Sequence, residues 1–277
     1  MRVCFGKPGR SIWAFAIVAA VALIAERATA SETLRMGGTG SSLGLLEKVG
    51  AEFTSASGIK VAVIPSLGSS GALRALIDGK LDLAVSARPL KADESAAGLQ
   101  QVAVLKTAFV LATSKPNPEG LNTSDLPWIF SEHGPIWSDG TPIRLILRPR
   151  SENDSALLGS ITPGMDAAIE SLRQRPEVPI AATDQDNADL AERIPGSLTG
   201  TTLTQIKTER RSLHVVPLNG VVPTFANFES GAYPFAKKLY FVIRTNGAPG
   251  ALQFVEFLRS AAGLKALREA AVLLERE

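Results

Sequence analysis

Residues 61–90 read VAVIPSLGSSGALRALIDGKLDLAVSARPL, and their order of residue types decides the fold. Val61-Ala62-Val63-Ile64 is a β-branched apolar run of strand length, halted by Pro65-Ser66-Leu67-Gly68. Ala72, Leu73, Leu76 and Ile77 then recur at helical spacing until Asp78-Gly79, which places Ser69 or Ser70 at the N-cap. Leu81 to Val85 is a second short strand. A strand, helix and strand in this order form a parallel, right-handed unit, so both strands point their carboxyl ends at one sheet edge. That edge carries Gly68 to Gly71 and Ser86 to Arg88.

The same plan occurs upstream. Thr33-Leu34-Arg35-Met36 reads as a strand and Gly37 to Ser42 as a turn; Leu45, Leu46, Val49 and Phe53 mark a helix closed by Gly58. Two strand ends therefore hand over to helix N-termini through turns of serine, threonine and glycine. Free N–H groups and the positive end of the helix dipole suit such turns to anions, with ordinary N-capping as the structural alternative.

Downstream, Val102 to Thr113 is a long apolar strand able to cross from one lobe to another. Ile143 to Leu147 is a buried strand that runs into Arg148-Pro149-Arg150-Ser151-Glu152-Asn153-Asp154-Ser155, followed by apolar Ala156-Leu157-Leu158. A guanidinium there can hold an oxyanion through two parallel hydrogen bonds, with serine, asparagine and backbone donors completing the shell. The structural alternative pairs Arg148 or Arg150 with Glu152 or Asp154 on the surface. Helices are expected over 166–175 and 187–194, strands over 213–218 and 231–246, and one amphipathic element over 248–274.

The first thirty residues have the character of an address. Arg2, Lys7 and Arg10 precede the apolar run 12–25, and Ala28-Thr29-Ala30 offers a small-residue cleavage site. Cleavage before Ser31 removes Cys4, so the exported chain has no thiol and no disulfide. With only His133 and His214 there is no zinc-ligand cluster, and neither a metal nor a cofactor is expected. The whole chain carries 29 basic and 27 acidic residues. Loss of Arg2, Lys7, Arg10, Arg27 and Glu26 brings the net charge from +2 to about −1, which favours neither nucleic acid nor a membrane surface as partner.

SLGSSGALRALIDGKLDLAVSARPL, WSDGTPIRLILRP, PGSLTGTTL and LNGVVPTFANFESGAYPFAKKLYFVI, in this order, resemble the periplasmic phosphate-binding proteins of ABC importers. The resemblance runs from about Leu34 to Asn246. It implies an α/β, two-lobed type II periplasmic binding protein fold, each lobe a mixed, mostly parallel sheet flanked by helices, joined by two crossover strands. Residues 1–30 would be the signal peptide, 31–107 plus 205–277 lobe one, and 108–204 lobe two.

By position, the family's phosphate contacts fall on Thr39, Gly40 and Ser41, on Ser69 with Ser70 beside it, on Ala87, and on the segment holding Arg148, Ser151, Asn153 and Ser155. Two departures stand out. Ser86-Ala87-Arg88-Pro89-Leu90 has alanine where the family has aspartate, and the 148–155 segment has lost the family's glycines. The missing carboxylate would accept a hydrogen bond from protonated phosphate and repel sulfate. Arg88 beside it is expected in the cleft, with surface packing as the alternative.

The resemblance implies a non-enzymatic, monomeric periplasmic protein that captures an oxyanion, phosphate first, for an ABC permease of the inner membrane. A sulfate-like oxyanion, or a larger anionic solute bound by a receptor, is the alternative. A remoter one is a serine hydrolase, because Gly40-Ser41-Ser42-Leu43-Gly44 matches the nucleophile-elbow pattern, with Ser42 attacking and His133 or His214 as base. Gly38-Thr39-Gly40 opens like a dinucleotide fingerprint but has Leu43 at the third glycine position, which argues against a Rossmann cofactor.

Overall fold

The computed structural model describes residues 1–4, 33–65 and 67–275; Ser66 and the apolar run of the expected leader lie outside the described residues. The strands are β1 (Thr33–Gly38), β2 (Lys60–Ile64), β3 (Leu83–Ser86), β4 (Leu99–Thr113), β5 (Arg144–Leu145), β6 (Ser197–Thr202), β7 (His214–Val215), β8 (Ala236–Arg244) and β9 (Val272–Leu274). The helices are α1 (Leu43–Ser57), α2 (Gly68–Ile77), α3 (Ala92–Ala96), α4 (Leu126–Ser131), α5 (Asn153–Gly159), α6 (Met165–Arg173), α7 (Asp184–Arg193), α8 (Leu203–Thr208), α9 (Phe225–Glu229), α10 (Pro249–Arg259) and α11 (Ala261–Glu269).

The strand order β2-β1-β3-β8-β4-β6-β5 places β1 between β2 and β3, parallel to both. Their carboxyl ends therefore share one edge, as the 61–90 stretch requires. Gly58, in the left-handed region at φ 76°, closes α1 by returning its N–H to the Thr54 carbonyl. β8 turns the sheet antiparallel, pairing with β3 and β4. β4 carries the chain across: residues 99–108 pair with β8, and residues 109–112 pair with β6 instead. β5 and β6 are parallel.

Two large core clusters flank this crossing. Leu34, Met36, Leu46, Phe53, Leu105, Phe241 and Phe254 form one, with the Phe53 and Phe254 rings edge-to-face at 5.2 Å. Phe109, Phe130, Trp137, Leu158, Leu172 and Leu198 form the other. Val216, Leu218, Phe228 and Tyr233 pack in this second cluster, although the sequence division gives 205–277 to the first lobe. β7 explains their placement, because it pairs with the far end of β4 at Ala112 and Thr113.

The single amphipathic element expected over 248–274 is instead α10, α11 and β9. Ser260 ends the first helix, and its hydroxyl caps the second by accepting the Gly263 N–H at 3.1 Å. Leu252 and Leu264, placed on the apolar face by sequence, are exposed.

Gly38 pairs with Val85 of β3, and a Cβ there would lie 2.2 Å from the Val85 carbonyl oxygen. Because that contact is backbone on a paired strand, Gly38→Ala should cost about 2 kcal/mol of unfolding free energy or more by urea titration.

Candidate functional site

At the shared edge of β1 and β3 lies a cavity of about 420 Å³. One side is Thr39, Gly68 to Gly71 at the start of α2, Ala87 and Arg88. The other is Arg150, Ser151, Glu152, Asn153 and Ala156 around the start of α5, and Lys237 of β8 completes the lining. Of the residues expected from sequence, Thr39, Ser69, Ser70, Arg88, Ser151 and Asn153 are brought together here. Gly40, Ser41, Arg148 and Ser155 are outside the lining.

Each of those four has a structural partner or position that accounts for this. Gly40 passes so close to α7 that a Cβ would lie 2.5 Å from Asp184 Oδ2, and its carbonyl accepts from Gln185 Nε2 at 3.0 Å. Ser41 is buried, and its backbone N–H supports Asp184. Arg148 points inward, 5 % exposed, donating to the Ala181 carbonyl at 2.5 Å and facing Glu152 at 3.4 Å and Asp184 at 3.6 Å. Ser155 donates back to the carbonyls of Arg148 and Pro149 and accepts from Arg173. The 148–155 segment thus closes partly on itself, through Ser155 to the Arg148 and Pro149 carbonyls and through the Glu152 N–H to the Pro149 carbonyl.

The expected serine cap of α2 is also corrected. Leu67 occupies the N-cap with no side-chain cap bond, and Gly68 opens the helix at φ 64°. Ser69 Oγ accepts the Ala87 N–H at 2.9 Å, which leaves its own proton for the cavity. Arg88 lines the cavity as expected, yet its charge is committed: both terminal nitrogens reach Glu94, at 2.8 and 2.7 Å, and one also reaches Ser70 Oγ at 3.2 Å. The Arg88 guanidinium holds the Glu94 carboxyl down to about 2, against the upward push of partial burial.

Four charged side chains under the cavity carried no mark as a group in the sequence. Lys237, 1 % exposed, donates from Nζ to Asp154 Oδ1 and lies 3.7 Å from Asp184 Oδ1. Asp184 in turn faces Arg148. Burial pushes Asp154 up to about 6; Lys237 opposes that and Asp184 adds to it. Burial also pushes Asp184 up, but Lys237, Arg148 and a hydrogen bond from Asp154 hold it below the ordinary carboxylate value. Burial lowers Lys237, and the two carboxylates more than offset this, so it stays an ammonium at neutral pH. Periodicity could have flagged these groups: Lys237 is in phase with Leu239, Phe241 and Ile243, and Asp184 with Asn187, Ala188 and Ala191.

Ser42 does not fit a nucleophile. It is fully buried and donates its hydroxyl proton to the Thr39 carbonyl at 2.8 Å, while His133 and His214 are exposed. No described helix is long and apolar enough to cross a membrane.

A sequence profile described as the PBP superfamily domain matches residues 24–262. The chain belongs to that family. The PBP chain has the two-lobed type II periplasmic binding protein fold. A candidate phosphate ABC transporter substrate-binding protein with bound phosphate, from Clostridium perfringens, is similar at TM-score 0.72 and 16 % identity, over 88 % of this chain and 100 % of that one. The periplasmic molybdate-binding protein of Azotobacter vinelandii is similar at TM-score 0.60 and 15 % identity, over 88 % and 100 %. The phosphate-binding protein of Stenotrophomonas maltophilia gives TM-score 0.59 and 16 % identity, over 87 % and 90 %. No curated protein matches the PBP chain by sequence.

Glu94 gives a pH test of the cavity rim. Its folded pKa is depressed, so its stabilisation is present above about 4.5 and is lost as pH falls towards 2. Glu94→Gln should therefore be less stable than wild type by about 1–2 kcal/mol at pH 7, after allowing for solvent screening. In urea titrations over a pH series the gap should close below about pH 4.5.

Proposed function

We propose that this protein binds an inorganic oxyanion, phosphate first, outside the inner membrane and hands it to an ABC permease. The observation that carries this reading is one cavity whose lining holds Ser69, Ser70, Ser151 and Asn153 together with a buried lysine, Lys237. Hydroxyls, an amide and one cation gathered in one recess are what an oxyanion needs to replace its hydration shell. Membership of the PBP family and the phosphate and molybdate binders that share its fold support the same class. The expected cleaved leader fits delivery to the periplasm.

Phosphate is put first because of Glu152. Ala87 supplies no acceptor, but Glu152 brings a carboxylate to the same cavity from the opposite side. A protonated phosphate can donate to it, whereas sulfate would set two negative groups against each other. The volume of about 420 Å³ favours a second reading, a phosphate ester, since it exceeds the need of a bare anion and falls in the range of small-molecule pockets. No covalent step is required: closure follows differential affinity for the closed form.

Calorimetric titration of the mature protein, stripped of ligand by unfolding and refolding, tests this. Phosphate should bind with Kd of about 1 μM or tighter, sulfate at least about tenfold more weakly. Ser69→Ala should weaken phosphate by about tenfold through one lost donor, and Glu152→Gln should narrow the gap to sulfate. A phosphate ester that binds more tightly than phosphate selects the second reading. Absence of binding by any of them contradicts the proposal.

A further inference from the structure

Lys237 belongs to two structures at once. It lines the cavity, yet its Nζ is bonded to Asp154, which is buried and outside the lining. The cation best placed to meet an anion is already neutralised by a carboxylate behind it. The buried set as a whole is balanced: Lys237 and Arg148 against Asp154 and Asp184. Adding an anion to a balanced, water-excluded set leaves it negative, which is unfavourable unless another charge changes.

We propose that the anion binds to the Lys237 ammonium and that Asp154 takes up one proton from solvent as it does so. This rests on the oxyanion reading of the same cavity. The step is a protonation only: the Asp154 carboxylate becomes a carboxyl, its O–H is donated to the Asp184 carboxylate, and Lys237 is released to the ligand. The groups facing Asp154 favour this site for the proton. From β8 comes Lys237, from α7 Asp184, and from the segment before α5 Arg148. Glu152, two residues away, turns to Arg148 and the cavity, Arg173 of α6 is taken by Ser155 and Glu170, and β6 presents no charged side chain. Asp154 is thus the carboxyl that burial and a like-charged neighbour already push up, to about 6, whereas Asp184 is held down. Removing Lys237 as its counter-charge raises it further.

The sign of the pH effect follows from linkage. Above the free-state value Asp154 is charged and must be protonated for binding, so affinity falls as pH rises; below that value it is already neutral and affinity is flat.

The experiment is calorimetric titration of the wild-type mature protein with sulfate and with phosphate from about pH 5.5 to 8, in paired buffers of different ionisation heat. Sulfate stays fully ionised over this range, so any proton uptake belongs to the protein and no variant is needed to read it. The wild type should take up close to one proton per sulfate near pH 7.5 and only about a quarter of one near pH 5.5, with affinity falling about tenfold per pH unit above about pH 6.5. In a second arm, phosphate's own protonation cancels between wild type and Asp154→Asn, and the variant should take up about one proton fewer near pH 7.5. Sulfate binding without uptake, or equal proton counts for phosphate in the two proteins, overturns the proposal and leaves the oxyanion reading standing. No heat with either anion removes that reading and the proposal with it.

Discussion

A lysine that is 1 % exposed stays charged only if carboxylates face it, and Lys237 has two, from α5 and α7. Both carboxylates come from helices that pack around the far part of β4, and the lysine meets Asp154 from 83 residues further along the chain. Removing any one member would leave an uncompensated buried charge, at about 3–5 kcal/mol. The arrangement therefore fixes how β8, α5 and α7 approach one another. It also sets the depth of the cavity, since the same lysine forms part of its lining.

The placement of the other donors follows from topology. With β1 central and parallel to β2 and β3, the turns after β1 and β3 and the start of α2 are neighbours whatever their side chains. Side chains then divide the labour. Ser69 ties α2 to the turn after β3 through the Ala87 amide, and Arg88 is held at the rim by Glu94. Positive charge is plentiful around the cavity but almost all of it is paired: Arg88 with Glu94, Arg150 with Glu170, Lys237 with Asp154. On the proposed reading, discrimination between anions depends on which pair yields and on where Glu152 points, more than on net charge.

The sequence was informative where local chemistry dictates structure. The β-branched run of β2, the Asp78-Gly79 stop and the left-handed Gly58 are local signals, and the elements end where those residues require. Ser69, at the start of α2, and Ser151, on a turn, were marked by the same local chemistry, and both line the cavity. The failures are matters of register and long-range pairing. Lys237 was not singled out in the sequence, although strand alternation sends it inward with Leu239 and only Lys238 to water. Arg148 carried the right chemistry for an anion but meets the Ala181 carbonyl and Asp184, 33 and 36 residues further along. No local pattern announces such a partner.

The most direct measurement is a crystal structure with arsenate, whose anomalous scattering locates the anion independently of the protein atoms. The account predicts the peak in the cavity within hydrogen-bonding distance of Ser69 Oγ, the 151–153 segment and Lys237 Nζ, with Nζ turned away from Asp154. A peak elsewhere, or an anion in the cavity with the Lys237–Asp154 pair intact, would contradict it.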